Sequence, residues 1–562
     1  MLTRRDFLQV TAATAAIFGS AGGIGVAASD QNITQERLLE FDSLGQVTLL
    51  NFADIHAQLT PLYFREPSVN LGVGDANGLP PHLTGKEFLN HFEIKAGTRD
   101  AYAFSSDDYY SLAKQYGHIG GLAQMATLIN EIRSDRPEKT ILIDVGDTWQ
   151  GSLTSLKTRG EDMVDAMNAL SVDVMTGHWE FTYGSERVLE LIDKLDFSFL
   201  AGNVRDTDFN EPVFDSIKFF EKGGVNVAVI GQAFPYTPIA NPRYLIPEWS
   251  FGIQEDYVRE NVNKAQKDGA DLIVLASHNG FDVDRKLASR IDGIDVILTG
   301  HTHDAIPGVI MVNNTLLIAT GSNGKFLGRL DLDIDNKKIK NFRYKLIPIF
   351  SDAIKPDPTI EKLIQSIRDP YSKELNEVLA RTESTLYRRG NFNGTFDDLI
   401  CQAIMQERDT EIALSPGFRW GPTLLPEQEI TGEDLFSQTA ITYPECYRND
   451  MTGEFLKIIL EDVADNLFNP DPYFQQGGDM VRVGGMGYAI DISKPIGNRI
   501  SNMTLLETGE PIEANKSYTV GGWASVNEET TGPAIYNVIS DYLRKVKVVN
   551  IPENKNIQVT GV

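Results

Sequence analysis

VTLLNFADIH, residues 47–56, is an apolar run of strand length that ends in an aspartate and a histidine two positions apart. Alternate residues of a strand point to one face, so Asp54 and His56 can leave a sheet edge side by side. The pattern recurs in seven further short, β-branched runs. They are TILIDVGD (140–147), VDVMTGHWE (172–180), FSFLAGNV (197–204), VNVAVIGQAF (225–234), DLIVLASHNG (271–280), DVILTGHTHD (295–304) and NTLLIATG (314–321). Between them GGLAQMATLINEIR (120–133), GSERVLELIDKL (184–195) and EDYVRENVNKAQKDG (255–269) repeat apolar residues at helical spacing. Apolar strands alternating with helices predict an α/β architecture with buried sheets.

In open α/β sheets ligands bind at the carboxyl ends of the strands, and the chemistry-bearing residues collect there. All eight histidines (His56, His82, His91, His118, His178, His278, His301, His303) precede residue 304, and five of them end predicted strands. Asp54 and Asp147 share that edge. Asp147 follows Gly146, so no bulky neighbour on that side blocks a close approach by two cations. Mixed carboxylate and imidazole donors suit first-row metals. Taken singly, each is as well read as a hydrogen-bonded histidine or a helix-capping aspartate. Five such motifs at one edge argue for a shared site. His118, in YGHIGGLA, reads instead as the start of a helix.

A chain of 562 residues exceeds one core and predicts two domains. Its net charge of −27 speaks against nucleic acid as a partner. A small anion remains compatible, because bound cations reverse the field locally. Residues 1–28, with Arg4 and Arg5 before Phe7, Leu8 and an Ala/Gly-rich run ending near Ala28, read as a twin-arginine signal peptide for export to the periplasm. No run is long and apolar enough for a membrane span. Cys401, in DDLICQAIMQ, reads as a core residue, and Cys446, in the turn-rich YPECYRND, as one open to exposure. A catalytic domain is expected over 45–350, interrupted at 64–116 by a Gly/Pro/Asn-rich insertion that is either a lid or a surface elaboration. Pro356, Pro358 and Pro370 bracket a linker helix within 351–374, and a C-terminal domain follows over 375–562.

The strings DIHAQ, GDTWQGS, GHWE, SHNG and GHTHD resemble, in order and spacing, the metallophosphoesterase fold of the periplasmic 5'-nucleotidase family. The resemblance covers roughly residues 46–350, and the C-terminal part is similar to that family's substrate domain. It implies two packed sheets flanked by helices, followed by a smaller α/β domain. Within the family, the leader, GHWEFTYG, GQAFPYTPIANPR, SPGFRWGPTLLP and QQGGDMVRVGGMGY resemble the SoxB-type thiosulfohydrolases of bacterial sulfur oxidation. Carried over residue by residue, one metal takes Asp54, His56, Asp147 and His303. The other takes Asp147 as a bridge, with His178, His278 and His301. The resemblance implies two manganese ions, and the donor set leaves Zn2+ and Fe2+ open. It also implies release of sulfate from a cysteine S-thiosulfonate at the C-terminus of a sulfur carrier protein, by hydroxide held between the metals attacking the sulfonate sulfur. A nucleotidase or phosphodiesterase is the alternative, and a degenerate metal-binding protein the third reading.

One departure from the family bears on that choice. Where the family has Gly-Asn-His-Glu, with Asn on a metal and His protonating the leaving group, this chain has Gly177-His178-Trp179-Glu180. Thr182 stands where the Asp that orients the acid is expected. Phosphate esters expel alkoxides of parent pKa near that of water, about 15.7, whereas a thiol has a pKa of about 8.5. A sulfur leaving group can depart without a proton donor, so the replacement fits a changed bond better than a lost activity. Candidate substrate contacts are Trp179, Arg419 and Trp420. Arg419 lies in SPGFRWG, where it either grips an anion or forms a structural salt bridge. Arg448 and Arg482 are secondary candidates.

Overall fold

The structure, a computed structural model, describes residues 33–562. The signal-peptide reading of residues 1–28 lies outside the described residues. All eight apolar runs are strands. They fall into two six-stranded sheets. The first runs in the order Lys338–Pro348, Phe326–Asp335, Val47–Phe52, Thr140–Asp144, Val174–Met175, Ser198–Phe199. The second runs Ile310–Val312, Thr315–Ala319, Val296–Thr299, Leu272–Ser277, Val225–Gln232, Ile217–Lys222.

The strands are apolar on both faces because both faces are covered. Val47, Leu49, Ile141 and Ile143 of the first sheet meet Val227, Val229, Val274, Val296 and Leu298 of the second in one apolar layer. Their sequence neighbours Leu50, Phe52, Leu142, Ile273, Leu275 and Ile297 point the other way, into an outer core shared with the helices. That core takes in the helix Leu122–Asp135 and, through Ile360 and Ile364, the linker helix Pro358–Arg368. The central pairings Val47–Phe52 with Thr140–Asp144, and Leu272–Ser277 with both neighbours, are parallel. Their carboxyl ends therefore open on the same side.

The sequence did not announce the hairpin Phe326–Asp335/Lys338–Pro348. Its outer strand, KIKNFRYKLIP, mixes exposed charged residues with apolar ones and lacks the apolar run of the central strands. Asn336 and Lys337 both take positive φ, as a two-residue hairpin turn requires. Cys446 departs from its expected exposure. It opens the strand Cys446–Thr452 opposite Trp523, is buried, and its thiol is pushed up to about 11 by burial. Cys401 is buried on the helix Thr395–Arg408.

The C-terminal part is built on a mixed sheet ordered Cys446–Thr452, Ser517–Trp523, Ile412–Gly417, Asp479–Gly484. The helices Thr395–Arg408 and Ile535–Val546 contribute Leu399, Ile400, Ile404, Val538 and Ile539 to one core beside it. The 64–116 insertion is not a loose lid. It forms the helices Gly85–His91, Arg99–Phe104 and Tyr109–Tyr116, and its Phe88, Leu89, Tyr102, Phe104, Tyr109 and Leu112 enter the main core. One buried ammonium pins it. Lys325 pairs with Glu66 at 2.5 Å and donates to the carbonyls of Phe64 at 3.3 Å and Ala103 at 3.0 Å. Breaking one partner of a buried pair strands the other charge. Glu66→Ala is therefore expected to cost about 3–5 kcal/mol, read as a lower denaturant midpoint.

Candidate dinuclear metal centre

Each expected ligand sits just past a strand end. Asp54 and His56 follow Val47–Phe52, Asp147 follows Thr140–Asp144, and His178 follows Val174–Met175. His278 follows Leu272–Ser277, while His301 and His303 follow Val296–Thr299. The chain turns so sharply there that Asp54, His56, Asp147, His301 and His303 all take positive φ, between 49° and 76°. Non-glycine residues in that region cost on the order of 1–3 kcal/mol each and persist where surrounding structure dictates them. Cross-loop hydrogen bonds do so here: Asp54 N–H to Gly146 O at 2.8 Å, His56 N–H to Asp147 O at 2.8 Å, and Asn323 N–H to Asp54 O at 2.8 Å. Gly300 is required by close approach, since a Cβ there would lie 2.9 Å from His278 Nδ1 and 3.1 Å from Asp54 Oδ2.

The seven side chains form two groups that share Asp147, with the donor atoms of each within 4.8 Å of one another. Asp54, His56, Asp147 and His303 make one, and Asp147, His178, His278 and His301 the other; all are buried. Asp147 Oδ2 lies 3.0 Å from His278 Nε2, 3.1 Å from His178 Nδ1 and 3.7 Å from His56 Nε2. His303 Nε2 is 3.3 Å from Asp54 Oδ1 and 3.1 Å from His56 Nε2. His278 Nδ1–H donates to the Val145 carbonyl at 2.6 Å, which leaves its Nε2 facing Asp147.

The electrostatics fit cations. Burial pushes His56 down to about 4, and it also lowers His178, His301 and His303, so all four are neutral at physiological pH. Burial raises Asp54, whereas in Asp147 the neighbouring His178 and His278 outweigh burial and hold the carboxyl well below its usual range. His278 is the exception among the histidines. Burial works against its charge, but Asp147 and Asp54 push it up to about 10. Through His56 Nε2, His178 Nδ1 and His303 Nε2, three neutral imidazoles crowd the two buried carboxyl groups. This donor set is what two divalent first-row ions require.

Comparison with known proteins agrees with that site. Residues 376–536 match the family model for the 5'-nucleotidase C-terminal domain. The chain is 24% identical to the 5'-nucleotidase of Bos taurus over 77% of this chain and 84% of that one. Among solved structures, a 5'-nucleotidase precursor from Thermus thermophilus superposes with a TM-score of 0.73 at 21% identity, covering 92% of this chain and all of that one. The sulfate thiohydrolase SoxB of Thermus thermophilus, solved with glycerol, superposes with a TM-score of 0.89 at 35% identity, covering 93% of this chain and 98% of that one. The chain belongs to the 5'-nucleotidase superfamily. It is a metal-dependent hydrolase of that superfamily, with SoxB as a relative along nearly its whole length.

The superfamily's site is held by a residue to which sequence reading gave no role. Glu180 is fully buried, and its carboxylate accepts N–H bonds from Thr148 (2.6 Å), Trp149 (3.2 Å), Asp147 (3.3 Å) and His178 (2.6 Å). Trp179 N–H returns a bond to Asp147 Oδ1 at 2.7 Å. Glu180 thus clamps the two loops that carry Asp147 and His178. The signal was a lone carboxylate two residues after a strand-end ligand.

The substrate side is more mixed. Arg419 Nη1 donates to the Thr302 carbonyl, between His301 and His303, at 3.2 Å. Its Nε meets Asp479 at 3.3 Å and its Nη2 donates to Gly478 O at 2.5 Å. Arg389, which the sequence reading overlooked, reaches the same Thr302 carbonyl at 3.2 Å, and its buried Nε has no partner. Only the adjacent pair Arg388-Arg389 before a glycine hinted at it. Trp420 lies with its ring centroid 5.0 Å from that of His56, and Trp179 packs edge-on to Trp420 at 5.1 Å. Arg482 is buried between Asp397 and Asp479 and is structural. Arg448 is partly exposed and bonds the carbonyls of Arg408 and Asp409. His118 packs on Tyr63 at 4.2 Å, outside both groups, and His82 pairs with Asp282 at 2.7 Å.

Groups behind metal ligands typically matter 10–100-fold for affinity. Glu180→Gln, which weakens the acceptor and adds an amide among four donors, is expected to lower metal retention against a chelator by about that factor, with far-UV dichroism unchanged. Metal binding must also expel the proton His278 holds near pH 7. Affinity therefore falls as pH falls, and calorimetric titrations in buffers of different ionisation enthalpy should report proton release.

Proposed function

We propose that this hydrolase releases sulfate from a cysteine S-thiosulfonate carried at the end of a partner protein, with two manganese ions in its site, after export to the periplasm through its Arg4–Arg5 leader. The observation that carries this reading is the exchange of the family's proton donor for Trp179 while a candidate donor stands at every metal-ligand position, His178 in place of the family's Asn. The likeness to SoxB along the chain supports it.

When bound, the metal pair supplies Lewis acidity to the substrate's oxygens and to the attacking water. The chain's own groups do the rest. Arg419 and Arg389 place two guanidiniums beside Thr302, where fixed positive charge meets a sulfonate. The water oxygen bonds to the sulfonate sulfur as the S–S bond breaks. Sulfate leaves with two protons released to solvent, and the electron pair stays on the carrier as a persulfide anion. Trp179 and Thr182 give that sulfur no proton, and it needs none at a pKa no higher than about 8.5.

The curated 5'-nucleotidase relatives favour nucleotides as a second reading. Its base-binding requirement fits poorly. Phe418 and Trp420 stack on each other at 4.1 Å with Trp420 only 2% exposed, so no base can slide between them. Metal-loaded protein is expected to release sulfate from a carrier S-thiosulfonate and little phosphate from AMP, with sulfate release lost in Asp147→Ala. Efficient AMP hydrolysis would favour the nucleotidase instead. In the double variant Trp179→His, Thr182→Asp, sulfate release is expected not to rise. A gain approaching the roughly 10²–10⁴ typical of general acids would refute the leaving-group argument.

A further inference from the structure

Glu180 ties together loops that leave two neighbouring strands of the first sheet. A second buried carboxylate stands in the matching place on the second sheet. Asp284 lies in the first turn of the helix Phe281–Arg290, which follows the ligand His278, and it is fully buried. An acid in a first helical turn is ordinarily explained by the helix dipole. This one turns back across Gly280 to two side chains instead. Its Oδ1 accepts from Ser277 Oγ at 2.8 Å and from Asn279 Nδ2 at 2.9 Å, and these residues are the immediate neighbours of His278. Asn279 N–H closes the triangle on Ser277 Oγ at 3.3 Å.

The turn fixed in this way also sets the next one. Gly300 N–H donates to Ser277 O at 2.9 Å, and Phe281 N–H donates to Thr302 Oγ1 at 3.3 Å, so the turn of His301 is held in register with the turn of His278. A Cβ on Gly280 would come within 3.1 Å of Thr302 Cγ2 and 3.4 Å of His301 Cδ2. His278 and His301 both belong to the donor group completed by Asp147 and His178. The other group is braced elsewhere. The loops of Asp54, His56 and Asp147 bond one another through their backbones, and the Thr302 carbonyl just before His303 takes Arg389 and Arg419. None of these bonds involves Asp284.

We infer that Asp284 is a positioning residue for one ion of the pair. By accepting from both neighbours of His278 it sets where that imidazole stands, and so governs retention of the ion held with His178 and His301 while leaving its neighbour in place. The inference rests on the dinuclear centre and is indifferent to which anion the enzyme releases. It also separates the two clamps. Glu180 locks the loop of Asp147, which both ions share, whereas Asp284 reaches His278, which serves one. The two clamps differ chemically as well. Glu180 uses both oxygens, but both bonds to Asp284 go to a single oxygen, so the position supplies an acceptor and its charge is secondary.

The test counts bound Mn2+ per chain in the parent, Asp284→Ala, Asp284→Asn and Glu180→Gln as a chelator is raised. Electron paramagnetic resonance tells an isolated ion from a coupled pair, and far-UV dichroism checks the fold. Asp284→Ala is expected to give up one ion at a chelator concentration about 10–100-fold lower than the parent requires. It should keep the other ion as the parent does, and show the signal of an isolated Mn2+ in between. Glu180→Gln is expected to release both ions early. Asp284→Asn is expected to match the parent, because its amide oxygen can take the same two bonds. Asp284→Ala that holds both ions like the parent, or loosens both alike, would overturn the inference, as would loss of an ion from Asp284→Asn. Should Asp284→Ala fail to fold, Asn279→Ala decides, since it removes one of the two bonds and leaves the carboxylate. Loosening of a single ion is then expected, and loosening of both or neither overturns the inference. A parent that binds fewer than two ions would refute the dinuclear centre and take the inference with it, a failure visible before any variant is compared.

Discussion

A buried carboxylate holds the shared ligand of the site in place. Glu180 accepts four backbone N–H groups from two loops that belong to different strands. Without an acceptor those donors would be stranded in a region closed to water, each at a cost of about 1–3 kcal/mol. With it, the loop bearing Asp147 is locked against the turn bearing His178. Asp147 can then be the common member of both donor groups. Coordination of two ions by one carboxylate demands that its loop not drift, and a charge-assisted clamp of this kind is a direct way to prevent it.

The clamp works against backbone strain. Five of the seven donors occupy left-handed backbone, a conformation that L-residues avoid. The two packed sheets supply the stiffness. Their interlayer of Val, Leu and Ile leaves no slack for a strand end to unwind. The parallel strands bring ends from both sheets to one side, so strained turns from either sheet meet over a shared edge. Sheet packing, sharp turns and crowded imidazoles are thus steps of one argument. The fold stiffens the ends, the stiff ends hold strained ligands, and the strained ligands face one another.

How much of this the sequence disclosed depends on whether a property is local. Apolar runs and strand-end histidines are local, so all eight strands and the residues of both donor groups were legible. The domain seam is not local. Nothing near Trp179 tells that its ring lies among Phe418, Trp420 and Tyr443, more than two hundred residues away. Arg389 was hidden for the same reason, since its partner Thr302 lies on the other domain. The insertion misled by composition. Its Gly, Pro and Asn content predicted a lid or surface elaboration, yet its aromatics fill a core and its loops bond both domains. Cys446 misled through YPECYRND, where the turn residues precede a strand and the cysteine is its first buried position. For Arg419 the sequence left anion binding and a structural ion pair open, and the geometry shows the ion pair, to Asp479, beside a hydrogen bond to the Thr302 carbonyl.

The GHWE turn joins the chemical and the structural arguments. An imidazole in the position of Trp179 would need a polar partner to hold its tautomer and room to reach the leaving atom. An indole needs neither, and contributes a large apolar surface. Once a leaving group departs without a proton, the position is free to be used for packing, and here it carries the contact that seats one domain on the other. The proposed relief from acid catalysis and the packing between the domains therefore meet at one residue. A site that still needed a proton donor there could not place the same side chain in the core of the neighbouring domain.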